Sequence, residues 1–170
     1  MNEMQYQVDL MGAMNEKLKN EQKMMSMIIE TSTSAFIYYN YERDEVRVMG
    51  SWDDYFDFTV RRISDLQYVT DCVEDQYRDE TMRCLNPERE GLARIVATVR
   101  FASDKKWVEC ESSVVYDSDG APLDKVIRFK DVTAVNDKNE ELKYMAYYDS
   151  MTGLFNRNYF IRRLTDLIER

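Results

Sequence analysis

The chain has 170 residues, enough for one domain with a real core plus connecting helices. Its 32 acidic against 23 basic side chains leave a net charge of −9, which repels phosphate backbones and argues against nucleic acid as a partner. There is no histidine, so Ser/His and Cys/His nucleophile pairs, a histidine general base and histidine-ligated zinc or haem are all excluded.

The cysteines Cys72, Cys84 and Cys110 stand far apart with no CxxC, which fits small core residues in a reducing compartment better than a disulfide framework. No run approaches the ~20 apolar residues of a membrane span, and the N-terminus lacks a signal-peptide pattern. The expectation is a soluble cytoplasmic piece without membrane contact of its own, which also suits the cytoplasmic part of a longer membrane protein.

Residues 2–29 read as one helix. With Met4, Met11, Leu18 and Met25 at a, the d positions are Gln7, Met14, Glu21 and Ile28, a coiled-coil-like stripe with two polar breaks. The polar stretch Thr31–Ser34 interrupts it. Ala35–Tyr41 is rich in β-formers, Glu42–Glu45 is a charged turn, and Val46–Met49 alternates like the second arm of a hairpin. The aromatic, acidic segment from Gly50 to Phe58 reads as short irregular helix. A helix follows from about Asp75 to Leu85, stopped at Asn86-Pro87. Asp53, Asp54 and Asp57 lack the spacing of a calcium loop and read as solvated surface, so no metal site is expected.

Three longer strands come next. Ile95, Ala97, Val99 and Phe101 share one face of the first; Val108, Cys110, Ser112 and Val114 share one face of the second. Asp119-Gly120 is a hairpin signal, and the last strand runs from Asp124 to about Val132 with Ile127 and Phe129 inward. Two strands, short helices and three strands make an α+β domain: a five-stranded antiparallel sheet with helices on one face and the other face largely wet.

From Val132 the period changes from two to a heptad. Val132, Val135, Asn139, Leu142 and Ala146 take successive a and d positions. An Asn at a specifies register and dimer state in parallel coils, although a solvated Asn139 fits the same pattern. Both end helices therefore point to a homodimer, although a first helix folded onto its own domain fits the same stripe. Beyond Asp149–Arg157, Asn156 is a good N-cap, and Tyr159, Phe160, Leu164, Leu167 and Ile168 form an apolar stripe on a helix running to Arg170. That stripe is expected to pack against another chain or to be disordered.

Tyr147–Arg157, with Phe160 beyond it, resembles the D-x-L-T-G-L-x-N-R-x-x-F opening of GGDEF domains, Met151 standing where the family usually has Leu. Lys106–Glu109, Asp117–Gly120 and Phe129–Thr133 resemble the C-terminal half of a PAS domain, with Asp131-Val-Thr133 at the handover to an output helix. The His-Pro-x-Asp stretch common in that group is not matched, Val73 standing near the His position. The periodicity and the resemblance together divide the chain into four segments: an N-terminal amphipathic or dimerisation helix at 1–30, a PAS-like sensor domain at 31–133, a signalling helix at 134–148 and the start of a GGDEF domain at 149–170. The resemblance also implies control of a diguanylate cyclase that joins two GTP into cyclic di-GMP, with Mg and GTP bound only in the output domain beyond Arg170, so no catalytic residue is expected here. Signal transmission would pass through Asp131, Thr133, Val135, Asn139, Leu142 and Asp149.

A PAS-like core would enclose a pocket lined by Phe36, Tyr38, Val48, Trp52, Tyr55, Phe56, Ile95, Val99, Cys110, Ser112 and Phe129. The same residues serve equally as packed core. The cofactor expectation is accordingly none, or an unidentified small organic ligand, and not His-ligated haem. Two rival readings stay open: a ligand-free PAS module that only pairs subunits, and the sensor of a combined cyclase-phosphodiesterase.

Overall fold

A computed structural model describes residues 3–168. Positions 1–2 and 169–170 of the expected end segments, and the side chain of Ile168, lie outside the described residues. Two compact units divide the chain, Met1–Asp131 and Val132–Arg170.

The first unit opens with helix α1, Glu3–Glu30. Its end is fixed by Thr31, whose hydroxyl donates to the Met27 carbonyl at 2.8 Å and competes with further helix growth. Strands β1 (Ala35–Asn40) and β2 (Glu45–Gly50) form the expected hairpin, one residue longer at each end of the second arm. Gly50 closes β2 at a φ of 72°, and a Cβ there would collide with the Ser34 carbonyl oxygen, so glycine is required where the chain turns under β1.

Short helical turns at Trp52–Asp54 and Ile63–Leu66 lead into α2, Gln67–Asp71. The chain then passes through a turn at Asp75–Tyr77 into α3, Arg78–Leu85. The helix expected from Asp75 to Leu85 is thus two pieces. Asn86-Pro87 ends it as expected, and Pro87 opens another short turn to Glu90.

Strands β3 (Arg94–Arg100), β4 (Trp107–Tyr116) and β5 (Pro122–Asp131) complete one antiparallel sheet in the order β2-β1-β5-β4-β3. Its inner face carries Ala35, Ile37, Ala97, Val99, Val108, Cys110, Ile127 and Phe129, all buried. The short helices cover this face through Trp52, Phe56, Val60, Leu66, Val69, Val73, Cys84 and Leu85. On the outer face Arg94 reaches Glu111 at 2.6 Å, and Arg128 reaches Glu109 at 2.9 Å and Glu111 at 2.6 Å. This ladder of opposite charges across three strands explains how that face stays wet, although each such pair is worth only about 0–1 kcal/mol.

The second unit holds α4 (Thr133–Tyr147) and α5 (Arg157–Ile168). No helix among the described residues is long and apolar enough to cross a membrane.

Candidate functional site

The inner face of the sheet gathers most of the expected pocket residues, and aromatic rings pack against one another there. The Trp52 and Phe56 rings lie 4.4 Å apart, Phe56 meets Phe129 edge-on at 5.0 Å, and Phe101 closes the group at 5.6 Å from Phe56. The Trp52 indole N–H donates to the Phe58 carbonyl, so its one polar atom is satisfied inside the core. Val99, Cys110 and Ser112 are buried beneath these rings, while Val48, Ile95 and Tyr55 are half-buried at the margins.

Two expected lining residues are corrected. Phe36 and Tyr38 stand on the outer face, because β1 pairs Ala35 with Phe129 and Ile37 with Ile127, which turns the odd-numbered positions inward. Every residue from Ala35 to Tyr39 is apolar or aromatic, so β1 itself contains no alternation from which to choose the face.

Cys84 and Cys110 are fully buried with their sulfurs 3.3 Å apart, and the Cys84 thiol donates to the Cys110 carbonyl at 3.1 Å. Without solvent contact both behave as small core residues. Cys72 lies at the surface, where partial burial and the nearby Asp57 and Asp71 push its thiol up and keep it protonated.

Beside the packed interior is an open groove of about 640 Å³, walled by Asp53, Asp54, Asp57 and Asp71 with Tyr55, Phe56, Cys72 and Phe101. Its charge disfavours anions. Among the described residues no three His, Cys, Asp or Glu side chains converge to hold a metal ion. Tyr55 belongs both to this groove and to the corner where the sheet ends: its hydroxyl donates to the Thr33 carbonyl at 2.8 Å and accepts from the Asp131 N–H at 2.9 Å.

At the opposite end of β5 lies a feature not singled out from sequence. Lys125 is fully buried; its ammonium donates to Glu88 Oε1 at 2.8 Å and to the Leu85 carbonyl at 3.0 Å, and stands 5.7 Å from the Tyr41 ring centre. Burial lowers its pKa, and Glu88 partly offsets that. The signal was available, since the period of two that turns Ile127 and Phe129 inward turns Lys125 inward as well.

Tyrosines on both faces of this end of the sheet are hard to ionise. Burial, then the hydrogen bond to Asp44, raises Tyr39 to about 12; burial and Glu88 raise Tyr41; the hydrogen bond to Asp124 raises Tyr38. A phenol whose folded pKa exceeds its unfolded value stabilises the fold below the unfolded pKa and loses that contribution as pH climbs through the folded one. Stability is therefore expected to fall between about pH 10 and 12. Absorbance at 295 nm should show these tyrosines titrating after the exposed ones, together with loss of the fold; a single early transition for all tyrosines contradicts this.

In the second unit the residues 149–157 form a built turn. Asp149 Oδ1 accepts from the Met151 and Thr152 amides at 3.1 and 2.9 Å and from the Thr152 hydroxyl at 2.9 Å, which holds the Asp149 carboxyl below its ordinary range. Gly153 takes φ 68°, and Asn156 caps α5 by accepting from the Tyr159 amide at 2.9 Å. Asn156 also donates to the Ala146 carbonyl at 2.8 Å, tying the turn to the end of α4. Packed rings brace it: Tyr144 stacks on Tyr148 at 4.6 Å and Tyr148 on Phe155 at 4.8 Å, and Phe155 lies tilted against Tyr159 at 4.6 Å. Of the remaining transmission residues, Asp131 ends β5, Thr133 opens α4, and Val135, Asn139 and Leu142 are exposed along α4. Phe160 and Leu164 are exposed on α5.

No protein-family model matches the chain, and no curated protein matches it. Solved structures do. An RNA-binding light-oxygen-voltage receptor is 14% identical with a TM-score of 0.50, over 74% of this chain and 36% of that one. The N-terminal domain of a diguanylate cyclase with a PAS/PAC sensor from Marinobacter aquaeolei is 12% identical with a TM-score of 0.47, over 61% and 99%. The PAS domain of BvgS from Bordetella pertussis is 14% identical with a TM-score of 0.45, over 76% and 98%. At these identities the likeness concerns the fold, which is α+β and PAS-like.

Proposed function

We propose that the chain is a cytoplasmic sensory module: a PAS-fold unit that pairs with a second copy through α1 and α4 and biases, through α4, a GGDEF-type diguanylate cyclase output beyond Arg170. The observation that carries this reading is the direct run of β5 into α4. A single residue, Val132, separates them and is itself the N-cap of the helix. The chain thus runs from the last strand of the sheet to the helix with one residue between them. The built turn at 149–157 supports the output assignment, since the Asp, Thr, Gly and Asn of the resembling motif each have a defined structural task there.

Pairing is supported by what α1 leaves uncovered. Met4, Met11, Met14, Leu18, Met25 and Ile28 are each more than half exposed, whereas helices in proteins draw most of their stability from packing such an apolar face. In the cyclase reading each subunit presents one GTP to the other, so output depends on how two half-sites are held together.

A second reading is favoured by the ring packing of Trp52, Phe56 and Phe129: the PAS-fold unit binds no small molecule and serves only to pair subunits. Native mass spectrometry separates the two. A mass equal to that of the bare chain favours the ligand-free module, and a retained small molecule favours the sensor.

Sedimentation equilibrium tests the pairing. Twice the monomer mass is expected for the chain, the monomer mass for the Met11→Glu/Leu18→Glu variant, and tighter or higher-order association for Asn139→Leu. A monomeric chain at high concentration overturns the proposal. The chain alone, given GTP and Mg²⁺, should make no cyclic di-GMP.

A further inference from the structure

We propose that the Tyr55 hydroxyl is a removable wedge in the β1–β5 ladder, giving that ladder two lengths and so two positions for the Thr33 segment that follows α1. The inference goes beyond the sensory reading and does not depend on which output follows.

Strands β1 and β5 pair in register from Asn40↔Asp124 to Ala35↔Phe129, where the ladder stops. Continued by one more step of two residues, the register would set Thr33 opposite Asp131. In an antiparallel ladder, positions two residues apart repeat the same hydrogen-bonding class. The Thr33 carbonyl and the Asp131 amide do not bond to each other, however. The Tyr55 hydroxyl stands between them, donating to the first at 2.8 Å and accepting from the second at 2.9 Å. It occupies the place of a ladder bond and satisfies both groups that the bond would have satisfied.

Both positions of the wedge leave the backbone groups partnered, which is the requirement for a two-state element. With the hydroxyl in, the ladder ends at Ala35↔Phe129. With it out, the Asp131 N–H donates directly to the Thr33 carbonyl and the ladder gains a step. On its other edge β5 is already paired as far as Asp131, opposite Val108 of β4, so the step moves the Thr33 side. It draws in the segment that follows α1, which otherwise depends on Ser51, whose hydroxyl donates to the Ser32 carbonyl at 2.9 Å and whose amide donates to Ser34 at 3.1 Å. The ring of Tyr55 is a wall of the open groove, so the wedge is reached from solvent.

Tyr55→Phe tests this, because it keeps the ring and removes only the oxygen. In the variant a scalar coupling across a hydrogen bond from the Asp131 amide nitrogen to the Thr33 carbonyl carbon should appear, absent or weak in the parent chain. Parent-chain relaxation dispersion should show exchange at Thr33, Ser34 and Asp131 with one common rate, lost in the variant. Asp131 amide exchange should change no more than about fivefold, as expected when one hydrogen bond replaces another. The proposal is overturned if the Asp131 amide of the variant opens to solvent without the coupling, if protection falls evenly across Val99, Cys110 and Ile127, if the variant does not fold, or if dispersion in the parent chain is flat at these residues.

Discussion

Replacing Phe129 by Ala lowers the stability of the sheet unit by about 3–5 kcal/mol, the usual cost of truncating a fully buried aromatic ring. Phe129 is 1% exposed and lies at the centre of the inner face, where it touches Phe56 at 5.0 Å and Trp52 at 6.2 Å edge-on and pairs across the backbone with Ala35 and Cys110. Its neighbours come from both flanking strands and from the Trp52 turn, so no single element can move in to fill the space. The midpoint of thermal unfolding should fall by roughly 10–20 °C. Phe36→Ala, on the outer face of the same sheet, should cost less than half as much. Equal losses at the two positions would show that the inner face is not the packed one.

The second large effect comes from the buried ion pair. Glu88→Ala leaves the Lys125 ammonium facing only the Leu85 carbonyl and the Tyr41 ring, and removing one partner of a buried pair typically costs about 3–5 kcal/mol. Glu88 keeps some water contact, which places the expected loss nearer 2–3 kcal/mol. Lys125→Met/Glu88→Ala, which removes both charges and leaves an apolar stem, should recover at least half of it. The variant also makes a pH signature. A lysine with a depressed folded pKa binds its proton less well folded than unfolded, so stability rises with pH toward the unfolded value near 10.4. That rise should be steeper in Glu88→Ala than in the parent chain. Denaturant titrations at pH 7 and pH 9.5 measure it, and parallel stabilities would remove Lys125 from the account.

Much of this architecture is written in alternation. In β3, β4 and β5 small polar or charged residues separate the apolar ones, so Ile95, Val99, Cys110, Ser112, Ile127 and Phe129 could be assigned to one face before any coordinates. β1 lacks that contrast. Ala35-Phe-Ile-Tyr-Tyr39 is apolar at both parities, and its face is decided only by partners some ninety residues away. The same holds for Lys125: the pattern points it inward, but chemical habit assigns a lysine to water, and only Glu88 arriving from the Pro87 turn makes burial tolerable. Two further pieces left weak signals. The turn at Ile63–Leu66 and the short α2 are too brief for a helical period to register, yet they supply Leu66, Val69 and Thr70 to the interior. The groove beside Tyr55 was legible only as an acidic, aromatic segment, because its other walls, Asp71 and Phe101, are brought there by the fold.

The ring stack of Tyr144, Tyr148, Phe155 and Tyr159 has a practical corollary. The chain's two tryptophans, Trp52 and Trp107, both belong to the sheet unit, and the second unit has none. Indole emission is thus a native reporter of one unit, and tyrosine dichroism in the near ultraviolet draws on both, the stack adding the part that indole emission does not see. Heating the unlabelled chain while both are recorded would tell whether the halves melt as one body or as two, with no dye, tag or substitution added.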